Sequence, residues 1–215
     1  MAYIGNKPAN KAIVASDLDP AVITGQTALA VAPADTDEFL ISDAGTLKRI
    51  DASLVGGGGI TEADQWRINA NLTTTTQYGF FTANWERVDT DGFGKIGTGL
   101  TESSGIFTFA STGVYLIAFD MMAYGNGGAR QYFGVRISTT TDNSSYDDAS
   151  MSYGSAYTNG AYATMSGRYQ FNVTNVSTHK FKMGYETDGS NSIIFENNSS
   201  RNSSNVTVTR LGDAV

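Results

Sequence analysis

The sequence predicts an all-β fold, an antiparallel sandwich or jelly roll, over residues 61–215. Short runs of alternating apolar and polar residues recur at intervals of about 8 to 20 residues. Clusters of Gly, Asn, Asp and Ser bound these runs, as expected at turns. No helical crossover separates the runs, so we expect the strands to pair antiparallel.

Composition excludes several classes of function. The chain has 215 residues, of which 40% are hydrophobic, enough for one or two domains with a core. Its net charge of −7 repels phosphate backbones, so we expect no nucleic-acid partner. The chain contains no Cys and a single His, His179, which excludes thiol catalysis and cysteine-ligated zinc and removes most triad chemistry. We therefore predict no enzyme activity and no cofactor.

No segment of the sequence is predicted to cross a membrane. No run approaches the roughly 18 to 20 apolar residues that a membrane helix needs, and residues 1–11 contain no continuous apolar stretch. We expect neither membrane insertion nor a conventional secretory precursor.

Four consecutive glycines mark a linker at residues 56–60, because they maximise backbone freedom and bury nothing. We place an N-terminal arm at residues 1–55 and one domain at residues 61–215.

The arm is expected to contain one β-hairpin, at residues 38–51. Residues 16–20 have turn chemistry, and residues 21–33 lack a clean helical period, which favours a short strand or extended chain. Residues 38–43 and 46–51 read as two strands joined by a two-residue turn that contains glycine. Because an isolated hairpin is marginal in water, we expect the arm to fold against sister chains or a host surface. The candidate docking residues are its large apolar side chains: Phe39, Ile41, Leu47 and Ile50.

The domain is expected to begin with the segment nearest to a helix. In Thr61–Trp66 a Thr N-cap precedes acidic residues, and we expect at most one helical turn there. Phe107 and Phe109 share one face of a short strand. Residues 114–121 are apolar on both faces, which predicts a central strand buried on both sides. Further strands are predicted at residues 131–137, 161–167, 168–173, 178–185, 191–195 and 205–211.

The run from Trp85 to Phe119 resembles the conserved core of C1q/TNF-like jelly rolls. In that family an aromatic pair is followed by a short turn, a Gly, one further residue, a Tyr and alternating apolar residues. The matching residues are Phe107, Phe109, Gly113, Tyr115, Ile117 and Phe119. Residues 206–212 are similar to the last strand of such domains. The resemblance covers about residues 61–215 and implies a ten-stranded jelly roll that assembles as a homotrimer.

A trimer of this kind needs an interface on each protomer. A jelly roll that exposes aromatic strand faces can bury them against two copies of itself. Burial of a few thousand Å² at ~25 cal/mol per Å² stabilises such an assembly substantially. The candidate interface residues are Tyr115, Phe119 and Tyr169.

The arm has a resemblance of its own. Residues 1–9 and 36–51 resemble the start of tail-fibre and other appended virion proteins of marine bacteriophages. Such proteins are similar to one another at the N-terminus, which docks on the particle, and differ in the distal domain. The resemblance implies a virion protein, assembled in the bacterial cytoplasm, whose arm contacts capsid or tail proteins.

Three features of the sequence have a functional and a structural interpretation. Gly92–Gly97 matches G-x-G-x-x-G, but no helix is expected to follow it, so a glycine-rich loop is favoured over nucleotide binding. Asp142, Asp147 and Asp148 lie in an oxygen-rich segment, where a solvated loop is favoured and a calcium site is the alternative. His179 lies in an alternating strand, which favours a structural role over a catalytic one.

Three tyrosines form the candidate host-contact loop. Tyr146, Tyr153 and Tyr157 are interleaved with Ser, Gly and Asn, a composition typical of binding surfaces. Contact with a host glycan or surface protein is one interpretation, and ordinary loop or inter-subunit packing is the other.

These observations favour a structural virion protein. The hypothesis is a homotrimeric, fibre-like appendage that docks by its arm and projects a jelly roll that contacts the host surface. A capsid decoration or head-fibre protein with no receptor role is the alternative, and the sequence does not separate the two. A polysaccharide depolymerase is a remote alternative, because the scattered glutamates form no visible acidic groove.

Overall fold

A computed structural model describes residues 19–25, 27–31, 33–34, 36–55 and 59–215. The chain divides into two compact units, Met1–Gly58 and Gly59–Val215. Residues 1–18 of the predicted arm and residues 56–58 of the predicted linker lie outside the described residues.

The first described element is a single helical turn, α1, at Ala21–Thr24. The Asp19 carboxylate accepts a 2.9 Å hydrogen bond from the Ala21 amide, and Pro20, whose fixed φ suits a helix start, lies between them. The Thr24 amide donates to the Pro20 carbonyl oxygen at 3.0 Å. The expectation of a strand or extended chain is therefore wrong at Ala21–Thr24, because an Asp cap and a Pro start a turn without any apolar period.

The predicted hairpin is confirmed with the predicted bounds. Its strands are β1 (Glu38–Asp43) and β2 (Thr46–Asp51), which pair antiparallel. Ala44 and Gly45 connect them with φ values of 50° and 82°. Two consecutive positive φ angles are typical of a type I′ turn, whose twist matches that of a two-stranded ribbon. A 3-10 turn at Ala52–Leu54 follows β2.

Residues 59–215, all of which are described, contain thirteen strands that pair antiparallel. These strands are β3 (Ala63–Ile68), β4 (Leu72–Thr74), β5 (Tyr78–Phe80), β6 (Trp85–Arg87), β7 (Thr101–Ser103), β8 (Ile106–Thr108), β9 (Gly113–Asn126), β10 (Arg130–Thr140), β11 (Asp147–Ala156), β12 (Tyr162–Val173), β13 (Lys180–Thr187), β14 (Ser192–Phe195) and β15 (Asn205–Gly212). The count exceeds the ten strands that the resemblance implies, because several strands are pieces of three residues. The strands form two sheets, named here the β9 sheet and the β10 sheet.

In the β9 sheet, β9 pairs along its length with β12 on one side. On its other side, β9 pairs with β15 over its first half and with β14 over its second half. The sheet continues from β15 to β3 and β6, and from β14 to β4. The β10 sheet has the order β11-β10-β13-β8-β7, and β5 also pairs with β13. The predicted all-β fold class is thus confirmed.

The hydrophobic core lies between the two sheets. Phe107 of β8 stacks on Phe181 of β13, with ring centroids 4.7 Å apart. Phe107 also meets Trp85, from the β9 sheet, edge to face at 5.0 Å. Each fully buried large apolar side chain contributes roughly 1.5 to 3 kcal/mol through the hydrophobic effect. This aromatic cluster therefore holds the sheets together.

β9 is central, as predicted, but it is buried on one face only. Its inward residues are covered by the β10 sheet, whereas outward residues such as Leu116 and Ala118 are only half-buried in a single chain. The expectation that residues 114–121 are buried on both faces is therefore wrong for the isolated protomer. Within residues 59–215 no element covers the second side of the sheet.

Three other segments differ from the predictions. Thr61–Trp66 forms no helical turn, because β3 starts at Ala63 and pairs with β15 and β6 instead. The local N-cap signal is overridden by partners more than twenty residues away, a tertiary effect on a weak local preference. The two strands predicted at residues 161–167 and 168–173 are one continuous strand, β12. β11 lies in the region interpreted as a loop.

Candidate functional site

The outward face of the β9 sheet presents half-buried apolar side chains along its centre. They come from β9 and from its neighbour β14: Val114, Leu116, Ala118, Met122, Tyr124 and Ile194. The register places Gln170 of β12 and Thr209 of β15 on either side of Leu116. An apolar centre with uncharged polar neighbours is typical of the core of a protein–protein interface.

The three predicted interface residues lie on the opposite side of the same sheet. Tyr115 and Phe119 point into the core and are each 2% exposed. Tyr169 pairs with Ile117 and packs against the core from the same inward face. Burial thus contradicts the choice of Tyr115 and Phe119 as interface residues, because alternation separates two faces without revealing which one the second sheet covers. The choice of Tyr169, which is half-buried, stays a prediction.

Burial also sets the chemistry of Tyr115. Its hydroxyl lies 2.9 Å from the Ser111 Oγ and donates to the Ser111 carbonyl oxygen at 3.0 Å. Burial raises the pKa of Tyr115, because ionisation in the core is unfavourable. The Tyr115 hydroxyl is thus a satisfied core group.

Asp120 and Arg168 add opposite charges to the outward face of the β9 sheet. The Ser166 hydroxyl donates to Asp120 Oδ1 at 2.5 Å, and Asp120 remains exposed. Arg168 lies opposite Ala118 in the register and is exposed as well. Within the described residues Arg168 forms no ion pair.

The hairpin of the arm divides the four candidate docking residues between its two faces. Phe39 and Ile50 are cross-strand partners, and Ile41 lies two residues along the strand on the same face. Leu47 pairs with Ser42 and belongs to the opposite face, where it is 69% exposed. Docking by all four residues stays a prediction, and the two faces of the hairpin divide it into Phe39, Ile41 and Ile50 on one side and Leu47 on the other.

The charged side chains of the hairpin pair with one another. Lys48 contacts Asp43, and the Arg49 Nη1 lies 2.9 Å from the Glu38 Oε1. Exposed pairs of this kind contribute roughly 0 to 1 kcal/mol. They leave the apolar side chains as the main groups that the hairpin offers to a partner.

The three tyrosines of the predicted host-contact loop belong to different elements. Tyr146 precedes β11, Tyr153 lies within β11, and Tyr157 follows it with 88% of its surface exposed. The prediction of one loop is therefore wrong. β11 is an edge strand in which every residue except Ala156 is at least partly exposed, so its sequence lacks the apolar alternation of a half-buried strand.

Tyr153 belongs to a row of residues on the outward face of the β10 sheet. The register aligns Tyr153, Gly134, Glu186 and Tyr78 across four strands. The Tyr153 ring lies over Gly134, where a Cβ would come within 2.6 Å of the ring. The neighbouring Tyr132 ring stands at 80° to the Tyr153 ring, with centroids 5.9 Å apart. Tyr132, Tyr153 and Glu186 line one shallow hollow, called here the aromatic corner.

A hydrogen bond fixes this corner. The Tyr153 hydroxyl donates to Glu186 Oε2 at 2.8 Å. That hydrogen bond to the carboxylate, with a smaller contribution from burial, raises the pKa of Tyr153 to about 12. The Tyr153 ring therefore stays neutral and oriented at physiological pH.

The neighbouring aromatic rings of this face already hold cations of the chain. The Arg136 guanidinium carbon lies 3.4 Å from the centroid of the Tyr78 ring, and Lys182 Nζ lies 3.9 Å from that of Tyr146. Arg136 is 1% exposed and also pairs with Asp148 at 3.0 Å. The buried Arg136 guanidinium thus lies under the Tyr78 ring and holds this aromatic surface in place.

The three aspartates considered for calcium do not converge. Asp142 Oδ1 accepts hydrogen bonds from the Ser144 and Ser145 amides, each at 2.8 Å, and these bonds lower the pKa of Asp142. Asp148 pairs with Arg136, whereas Asp147 is exposed at the start of β11. Among the described residues no group of three or more His, Cys, Asp or Glu side chains could hold a metal ion.

Two buried charged residues of the β9 sheet were not identified from the sequence. Asp64, 4% exposed, accepts hydrogen bonds from Trp66 Nε1 at 3.0 Å, Arg87 Nε at 3.0 Å and the Leu100 amide at 2.8 Å. Arg67, 1% exposed, donates to Glu86 Oε1 at 2.6 Å. These groups fix the outer strands of the sheet, and only their long-range partners reveal them.

His179 and the glycine-rich segment play structural parts. His179 is buried, stacks on Phe171 with ring centroids 5.6 Å apart, and lies between two threonine hydroxyls, at 3.0 and 3.2 Å. Gly92–Gly97 is a loop with no helix after it. None of the helices in the described part of the chain has the length and hydropathy needed to cross a membrane.

Known structures share this fold. The chain is similar to murine APRIL at pH 5.0, with a TM-score of 0.51 and 12% identity over 70% of this chain and 98% of that chain. It is similar to the Eiger TNF from S. frugiperda, with a TM-score of 0.53 and 11% identity over 73% and 96%. The PRD1 vertex protein P5 aligns over 98% and 100% at 18% identity, but its TM-score of 0.41 is too low to indicate a shared fold. No protein-family model and no curated protein matches the chain. Residues 59–215 thus have a TNF-like jelly roll.

Proposed function

We propose that the protein is a homotrimeric structural component of a bacteriophage virion. In this proposal the arm docks on a capsid or tail protein, and the jelly roll projects outward and contacts the host. The observation that carries the proposal is the outward face of the β9 sheet, which is apolar at its centre and is not covered by any element of residues 59–215. An uncovered apolar face of this kind indicates a protein–protein interaction site.

Two further copies of the chain suit this face. In a closed three-fold ring each protomer contacts two neighbours, so one continuous surface is buried by identical chains. A stable interface needs roughly 1,600 Å² of buried surface, which a face of several long strands can supply. Asp120 of one protomer would pair with Arg168 of the next, which neutralises the charges that this face otherwise leaves exposed. The trimer that the C1q/TNF resemblance implies is consistent with both features.

The arm supports the virion part of the proposal. Its residues resemble the docking ends of appended phage virion proteins, and its hairpin keeps Phe39, Ile41 and Ile50 on one face while its charges pair internally. A marginal hairpin with an apolar face gains stability when it binds a larger protein. Docking and folding of the arm are therefore coupled in this proposal.

A cryo-EM map of the intact particle tests the proposal. We expect a three-fold density of the size of three jelly rolls, joined to the particle by a thin connection. Particles from a phage that encodes only residues 59–215 should lack this density, while the free jelly roll accumulates as a trimer. Absence of the protein from purified particles would contradict the proposal.

The position of the density separates the host-contact role from decoration. Density at the tail, with the β10 sheet facing outward, supports host contact through the exposed Tyr153 and Tyr157. Density over the capsid lattice, with these tyrosines against the capsid, would instead make the protein a head decoration with no receptor role.

A further inference from the structure

On the outward face of the β10 sheet, the rings of Tyr78, Phe80 and Tyr146 each lie near a cation of the chain. Arg136 lies 3.4 Å from the Tyr78 centroid and 4.9 Å from the Phe80 centroid, and Lys182 lies 3.9 Å from the Tyr146 centroid. Among the described residues no such cation lies on the rings of the aromatic corner of Tyr132, Tyr153 and Glu186. No Lys or Arg of the described residues forms an ion pair with Glu186. The corner therefore presents aromatic rings beside a carboxylate, but unlike the neighbouring rings it holds no cation of the described residues.

The geometry of the corner is fixed before any ligand arrives. The Tyr153 hydroxyl is held by Glu186 Oε2 at 2.8 Å, and its ring rests on the bare backbone of Gly134. The Tyr132 ring stands at 80° to the Tyr153 ring. Two rings at nearly a right angle with a carboxylate beside them can surround a small group on three sides.

We infer that the aromatic corner of Tyr132, Tyr153 and Glu186 binds an organic ammonium group. The negative faces of the rings attract a cation, and quaternary ammonium and lysine-type ligands use such rings in proteins. The Glu186 carboxylate supplies the countercharge, and the chain's net charge of −7 favours the approach of a cation. The binding itself is independent of the proposed virion role, and only its use for host contact rests on that role.

A neutral ligand fits these observations less well. A sugar or an apolar side chain would use the ring faces but would leave the Glu186 carboxylate without a countercharge. The ammonium group could belong to a choline-type lipid head group or to a lysine side chain of a surface protein. Both sources present the same chemistry, a cation on a short alkyl stem.

Titration of the full-length protein with choline chloride tests the inference. The signals of ¹³C-labelled tyrosine rings are followed by NMR while sodium chloride is replaced by choline chloride at constant ionic strength. The matched neutral probe is 3,3-dimethylbutan-1-ol, which has the shape of choline without its charge. We expect choline to shift the ring signals of Tyr132 and Tyr153 in a saturable way, and the neutral probe to bind at least about fivefold more weakly.

Two variants complete the test. Glu186→Gln keeps an acceptor for the Tyr153 hydroxyl but removes the charge, and should weaken choline binding about fivefold. Tyr157→Ala changes an exposed tyrosine outside the corner and should leave binding unchanged. The inference would be overturned if choline and the neutral probe bound equally, or if choline caused no shift. It would also be overturned if a neutral hexose bound the wild type and Glu186→Gln alike. A second probe, Nα-acetyl-lysine amide, keeps the free ε-ammonium group and identifies the source of the ligand. Preference for this probe favours a protein ligand, and preference for choline favours a lipid head group.

These outcomes are separate from those of the proposed function. A purified trimer that is present in virions but does not bind choline would overturn the inference alone. A protein that binds choline but is absent from virions would overturn the proposed function alone.

Discussion

Tyr115 and Leu116 are neighbours on β9, yet they belong to different environments. Tyr115 is 2% exposed between the two sheets, whereas Leu116 lies on the uncovered outward face with Gln170 and Thr209 beside it. One residue of register therefore separates a core position from a candidate interface position. On β9 the inward residues stabilise the protomer, and the outward residues form the face that the proposed trimer would cover.

The first prediction concerns protection of this outward face. The chain has no Cys, so a single introduced thiol reports on its own position. In the proposed trimer, Ala118→Cys should react with maleimide at least about tenfold more slowly than Ile106→Cys, a half-buried position on the outward face of the β10 sheet. Stopped-flow labelling of the folded protein measures both rates. Equal rates would place the interface elsewhere.

The second prediction concerns Asp64. Asp64→Ala removes the acceptor of Trp66 Nε1, Arg87 and the Leu100 amide, and leaves a guanidinium without its buried partner. We expect a loss of about 3 kcal/mol in the free energy of unfolding. Urea denaturation followed by tryptophan fluorescence measures it.

The control for Asp64 is Asp147→Ala, which removes an exposed carboxylate at the start of β11. It should change the free energy of unfolding by less than about 0.5 kcal/mol. Similar losses in both variants would show that Asp64 does not fix the outer strands of the β9 sheet.

The third prediction concerns the ionisation of Tyr153. Its pKa is raised from 10.0 to about 12 by the hydrogen bond to the Glu186 carboxylate. Since the folded pKa lies above the ordinary value, this hydrogen bond stabilises the fold fully below pH 10 and is lost as the pH rises toward 12. In Glu186→Gln the pKa of Tyr153 should fall back toward 10.0. An NMR titration of the tyrosine Cζ signals checks this, and an unchanged pKa in the variant would exclude the carboxylate as its cause.

The fourth prediction concerns the two faces of the hairpin. Phe39, Ile41 and Ile50 share one face, so Phe39→Ser should strongly reduce incorporation of the protein into particles. Leu47→Ser removes a comparable side chain from the other face and should reduce incorporation less. Quantitative mass spectrometry of purified particles measures both. The reverse order would assign docking to the face of Leu47.

Much of the fold could be predicted from local pattern. The hairpin, β9, β10, β13 and β15 all show period-two alternation or turn chemistry within a few residues, and these signals do not depend on distant partners. β11 could not be predicted, because an edge strand with two partly exposed faces needs no apolar alternation. β3 was missed because the burial of Asp64 depends on Arg87 and Leu100.

The candidate site was less predictable than the fold. Tyr153 was identified from composition, but Glu186, Gly134 and Tyr78 join it only through the register of four strands. The choice of Tyr115 over Leu116 failed for a related reason. Alternation gives two faces, and only the packing of the second sheet decides which one is inside.

Sedimentation equilibrium of the full-length protein and of Leu116→Lys tests whether identical chains cover the outward face of the β9 sheet. We expect a mass of three 22.8 kDa protomers for the wild type. For Leu116→Lys we expect folded single protomers, because a lysine at the interface centre leaves an unpaired buried charge. A wild type that sediments as single protomers at micromolar concentration, or a Leu116→Lys variant that keeps the mass of three, would contradict coverage of this face by identical chains.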